Sequence, residues 1–239
     1  MKSGLFGFHA VVLAFLLVGA DVWAGFLGFG GDSWEEEALQ YDGGKIIVKR
    51  SQDYGGRHEI GQGAPIKDYY LSFTLPGSNQ SIKWESEYSE DIGRANLHPL
   101  ALHVLNGTPY IITEPNLCLA YNKWGRPNPP YVIFKYDGKE WQRITIQVLP
   151  IEFKDMNLVN DTKDDAEHLM KASPVTVEAV KRFNSDLRQP ELKTILREGI
   201  DPKKVTGSSV NCIELILYKG KLIMPNDPVM RMQLDRNTK

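Results

Sequence analysis

Residues 97–149 read LHPLALHVLNGTPYIITEPNLCLAYNKWGRPNPPYVIFKYDGKEWQRITIQVL. Short segments rich in Val, Ile, Tyr and Trp are separated there by Asn106-Gly107, Glu114-Pro115, Pro127-Asn128-Pro129-Pro130 and Asp137-Gly138. β-Branched and aromatic side chains suit the half-buried surface of a sheet, while Gly, Asn, Asp and Pro supply the turns between strands. The stretch predicts an antiparallel meander of four or five strands at 100–105, 108–113, 117–122, 131–136 and 140–149. That meander is expected to supply most of the core.

Upstream, 34–50 reads as a hairpin turning at Asp42-Gly43-Gly44, and 66–75 with 81–88 as a second one turning at Pro76-Gly77-Ser78-Asn79. Tyr69, Leu71, Phe73 and Leu75 alternate with polar residues, as do Ile82, Trp84, Ser86 and Tyr88, so one face is expected in the core and one in water. Glu85 and Glu87 then share a face about 7 Å apart, a spacing that suits glycoside hydrolysis. The alternation points them away from the aromatic face, so solvated strand acids are expected. The run Glu35-Glu36-Glu37 is likewise expected in solvent, where it discourages pairing at a sheet edge. Between the hairpins, His58-Glu59-Ile60-Gly61-Gln62 lacks the second His of a zinc-protease helix and is flanked by glycines, which rejects that reading.

Downstream the texture changes. Thr162-x-x-Asp165 opens one helix; Ser173-Pro174 opens another that carries Val177, Val180, Phe183 and Leu187; a third spans 190–198 and stops at Gly199. The fold class is therefore α+β, with a mainly antiparallel, meander or sandwich-like β domain at 34–159. A helical segment follows at 160–205, then a closing β-hairpin at 206–226 that returns to the sheet, and a loose polar tail at 227–239.

The N-terminus carries Lys2, an apolar run over 10–20 and the exit Val22-Trp23-Ala24. That pattern predicts a signal peptide over 1–24, cleaved after Ala24, with a flexible leader at 25–33. The run is short of the roughly 20 residues of a spanning helix, so no stable membrane span is expected after cleavage. Export to the periplasm is the first reading and secretion the second. The formal charge is −2 with acids and bases well mixed, which gives no footprint for nucleic acid. The two cysteines, Cys118 and Cys212, allow one disulfide in an oxidising compartment. Each lies in a strand-like context, so the bridge is expected to staple a C-terminal strand to the meander. Closing a loop of nearly a hundred residues would contribute about 4–5 kcal/mol in the chain-entropy view. Two separate buried thiols are the alternative.

One loop, 123–131, is a binding candidate through Trp124, Arg126, Asn128 and Tyr131. Three prolines restrict its backbone, and Trp, Arg and Tyr dominate interface hot spots. An envelope protein or a glycan is the expected partner; the competing reading packs Trp124 into its own domain. No catalytic residue, metal-ligand set or cofactor motif emerges, since Gly-x-Ser-x-Gly, His-Glu-x-x-His, the P-loop and Cys-x-x-Cys do not occur. A non-enzymatic binding or accessory role is therefore expected, with a secreted hydrolase of an envelope polymer and an inert structural module as rivals.

The strings GRHEIGQ (56–62), SEYSEDIGRAN (86–96), LNGTPYI (105–111), AYNKWGRPNPPYV (120–132) and FKYDGKEW (134–141) resemble a group of exported bacterial proteins of unassigned function. The resemblance covers 34–159 and implies export without implying an activity. Protein recovered from outside the cytoplasm is expected to begin at Gly25; N-terminal sequencing checks this, and an intact Met1 start would overturn cleavage.

Overall fold

A computed structural model describes residues 31–160 and 166–236; the signal peptide expected at 1–24, most of the expected leader and the helix start expected at Thr162-x-x-Asp165 lie outside these residues. Strands β1 (Asp32–Leu39), β2 (Lys45–Tyr54), β3 (Ile66–Thr74) and β4 (Ser81–Glu85) form one antiparallel sheet in sequence order. The β1–β2 turn forms where expected: Gly43 sits at φ 86° and the Asp42 carboxylate accepts the Gly44 N–H at 2.9 Å. A short pair, β5 (Tyr88–Ser89) with β6 (Arg94–Ala95), leads into the second half.

There, β7 (Leu97–Leu105), β8 (Thr108–Pro115), β9 (Val132–Tyr136) and β10 (Trp141–Ile144) make a second four-stranded meander. The expected strand at 117–122 is instead a helix, α1 (Leu117–Lys123). Leu117, Ala120 and Tyr121 carry an apolar period of three to four residues, which a short run disguises as a strand. Asn122 fixes this helix. Its side chain donates to the carbonyls of Cys118 and Ile213, at 2.9 and 3.0 Å, and accepts the Leu215 N–H at 2.7 Å.

The sheets pack face to face. Val48, Leu71, Phe73, Ile82 and Trp84 from the first meet Leu97, Leu102, Ile111 and Val132 from the second. Lys45, Lys83 and Glu85 face water on the outside of the first sheet. Along β7, β8 and the start of β9 the second sheet is buried on both faces: Leu100, Tyr110, Ile112 and Ile133 are covered by Leu149, Phe153, Met156 and Ile195. This is why β7 and β8 read as near-continuous apolar runs rather than as alternations.

The C-terminal third covers this frame. Helices α2 (Ala166–Lys171) and α3 (Val177–Ser185) pack Leu169 and Val180 on Trp34. Thr176, not Ser173, caps α3 by accepting the Ala179 N–H at 3.3 Å. The helix expected at 190–198 shrinks to a single 3₁₀ turn, because Ile195 pairs through its backbone with Lys154 and joins the cover of the second sheet. Strands β11 (Ile216–Tyr218) and β12 (Lys221–Ile223) form the closing hairpin, but they pair only with each other. The tail expected to be loose contains α4 (Pro228–Arg236). Its cap is the Asp227 carboxylate, which accepts the Met230 N–H at 2.9 Å. The disulfide joins Cys118 to Cys212, as paired from the sequence, yet it links α1 to the end of a 3₁₀ turn and not two strands.

The acidic run also differs from expectation. Glu35 and Glu37 face outward and pair with Lys49 and Lys45. Glu36 is 0% exposed; its carboxylate accepts from Arg50, itself 2% exposed, at 2.9 Å and from the Trp34 indole at 3.0 Å. Alternation along β1 places every second acid inward, and Arg50 is near Glu36 on the neighbouring strand. The same guanidinium donates to the Val159 carbonyl at 2.7 Å, tying the end of the 34–159 segment to its first hairpin. A buried charge left without its partner costs far more than the pair contributes. Glu36→Ala is therefore expected to lose about 3–5 kcal/mol in urea unfolding, and a Glu36→Leu/Arg50→Met double variant to lose less than either single change. Additive losses would overturn this account of the pair.

Candidate functional site

The two edges of the sandwich are closed differently. At the β1/β7 edge, the Gln40 amide donates to the carbonyls of Ala38 and Leu102 and accepts the Val104 N–H. Asn157 accepts the Leu102 N–H and donates to the carbonyls of Leu39 and Leu102. At the opposite edge, β4 and β10 are held apart by rings. Trp84 meets Phe134 with centroids 6.3 Å apart, and Trp124 stands edge-on to Phe134 at 6.2 Å. The Trp141 indole reaches across to donate to the Lys83 carbonyl at 2.7 Å.

The result is an open cleft of about 1080 Å³ whose walls include Trp84, Trp124, Phe134 and Trp141. Its polar rim includes Lys49, Lys83, Glu85 and Glu87. Glu85 projects to the opposite face from Trp84, as alternation requires, but the cleft wraps around β4 and brings acids and rings together. Burial raises the Glu85 carboxyl above its ordinary range, and the charges of Asp68 and Asp53 add to this. Tyr70, opposite Glu85 in register, has its phenol pushed up to about 12 by burial and then by the charges of Asp68 and Glu85.

Of the four residues singled out in the 123–131 loop, Trp124 lines this cleft, with the Arg143 guanidinium 5.4 Å from its ring centroid. The other three are engaged within the chain. Arg126 donates to the carbonyls of Cys212 at 2.7 Å and Ile213 at 3.0 Å and lies over the Tyr121 ring. Asn128 grips the backbone of Ile200 through both its amide atoms, and buried Tyr131 donates to the Glu191 carbonyl at 2.8 Å. Trp84, Phe134, Trp141 and the two acids were not grouped from the sequence, although three of the chain's five tryptophans meet here. The missing information was tertiary: which edges of two meanders face each other.

The histidines serve other purposes. His58 is exposed on the glycine-rich loop, whose start is docked by the Arg57 N–H on the Gly93 carbonyl. His103 is stacked on Phe153 at 4.6 Å, with its Nε2 3.0 Å from the Asp155 carbonyl, and His98 packs on Tyr69. Among the described residues no group of three or more His, Cys, Asp or Glu could hold a metal ion. Compared with known proteins, the chain matches no family model, no curated protein and no solved structure.

Three groups on β7 and β8, His98, His103 and Glu114, have strongly shifted titrations. Burial, with the charge of Arg50 added, depresses the His98 imidazole to about 3, and burial depresses His103 to about 4. Glu114, directly opposite His98 in the β7–β8 register, is pushed up to about 8 by burial and by the charge of Glu191. A raised carboxyl holds its proton more tightly folded than unfolded, so its contribution declines as pH climbs from about 4.3 to 8. A depressed imidazole works the other way: stability is lost as pH falls from about 6.5 toward its folded value. Above about 6.5, Glu114 alone of these three groups still titrates. The urea midpoint is expected to fall between pH 6.5 and 8, and Glu114→Gln to flatten that fall while keeping the acid limb. An unchanged alkaline slope in the variant would remove Glu114 as its cause.

Proposed function

We propose that this chain is an exported, non-enzymatic binding module of the cell envelope whose ligand site is the cleft between β4 and β10. The observation that carries the reading is the gathering of Trp84, Trp124, Phe134 and Trp141 at one open edge, rimmed by charges of both signs. Ligand sites combine apolar, largely aromatic walls with a few placed polar groups, and this cleft has that composition. The disulfide supports an oxidising compartment. No helix among the described residues is long and apolar enough to cross a membrane. The signal-like N-terminus and the likeness to exported bacterial proteins point the same way. A hydrolase of an envelope polymer is the second reading, favoured by the presence of Glu85 and Glu87 on the same rim.

The test is co-sedimentation of the purified mature chain with isolated, insoluble envelope material. Wild type is expected in the pellet. A Glu85→Gln/Glu87→Gln variant with unchanged melting is expected to lose about tenfold in affinity, roughly the effect of two polar contacts. Full retention of that variant, or no sedimentation of wild type, would overturn the cleft as the ligand site.

A further inference from the structure

We infer that the occupant of this cleft is a neutral glycan chain, held by ring stacking, and not an extended peptide; this rests on the cleft being the ligand site. Peptide capture beside an edge strand works by adding a strand, which needs the free backbone groups of that edge. On β4 the Ser86 N–H bonds to the Tyr69 carbonyl of β3, so Lys83 and Glu85, out of phase with it, aim their backbone groups outward. The Lys83 carbonyl, at the middle of that outward row, is already taken by the Trp141 indole at 2.7 Å. The ring that makes this bond also stands against the edge. Strand addition is blocked where it would begin.

What remains open is aromatic and mixed with polar groups. Trp124 and Trp141 are half-buried, so part of each indole surface stays uncovered at the cleft. A flat aromatic face matches the C–H face of a pyranose ring, while its hydroxyls both donate and accept. Glu85 and Glu87 supply acceptors, and Lys83 supplies donors. Charges of both signs lie along the rim, without the run of one sign that a polyanion would need and a neutral sugar does not. The volume, about 1080 Å³, lies just above the roughly 300–1,000 Å³ range of small-ligand sites, which fits several linked rings better than one.

Isothermal titration of the full mature chain with cellohexaose, chitohexaose, their disaccharides and a pool of extended decapeptides tests this. At least one hexasaccharide is expected to bind, its disaccharide about tenfold more weakly, with Trp124→Ala losing about tenfold and Trp124→Phe recovering part of it. Glu85→Gln/Glu87→Gln is the control should Trp124→Ala fail to fold, and it is expected to weaken the same sugar. Peptide binding that these variants abolish, with no sugar bound, overturns the glycan while keeping the cleft as a ligand site. No binding of any probe, together with no envelope sedimentation, overturns both. Release of new reducing ends from a bound hexasaccharide would uphold the glycan and overturn the non-enzymatic reading.

Discussion

Two carboxamides, those of Gln40 and Asn157, set the relation between the sheets. Backbone groups at the rim of a sandwich need partners, and an unmade hydrogen bond in a buried place is expensive. Here the amides of one residue after β1 and one beyond β10 bridge to the same carbonyl, that of Leu102, from two directions. A donor to this carbonyl is required once Leu102 is fully buried. With this edge sewn shut by short polar side chains, the other edge is left to whatever can fill a wider gap. Indoles and a phenyl ring do so, and the cleft follows from the difference in size.

The second consequence is that the boundary between a β domain and a helical appendage dissolves. Around β7 and β8 the second sheet has no wet face: residues from 149 onward are its outer layer, and Arg197 fastens them by donating to the carbonyls of Leu149, Pro150 and Phe153. The disulfide then closes over 94 residues, joining α1 to the segment that also receives Asn122 and Arg126. Cross-link and hydrogen bonds act on one contact, so the covalent tie confines the unfolded chain while the polar ties position the folded one.

Much of the frame was legible because strand alternation and turn residues are local. Both hairpins of the first sheet, the β7–β8 turn at Asn106-Gly107 and the β9–β10 turn at Asp137-Gly138 lie where the residues demand. What was not legible depends on distant partners. Leu117–Lys123 is helical because the C-terminal segment and Asn122 hold it so, and Glu36 is buried because Arg50 waits for it. The 123–131 loop is rich in contact-making residues, yet a single sequence does not say whether such residues contact a partner or their own chain. Arg126, Asn128 and Tyr131 are occupied by backbone carbonyls of residues 191–213. Trp124 differs because its neighbours are strand edges, which leave a gap.

The edge of β1 bears on the order in which this chain is made. Its outward backbone groups are satisfied late: the Glu37 N–H bonds the Val175 carbonyl, the Val175 N–H bonds the Glu35 carbonyl, and the Glu35 N–H bonds Ser173, 138 residues away. Translation delivers β1 among the first segments and residues 173–175 only after both meanders are complete. During that interval the earliest strand offers an unpaired template to any other extended chain nearby. The cover of that edge comes last, from a stretch of three residues that forms no strand of its own.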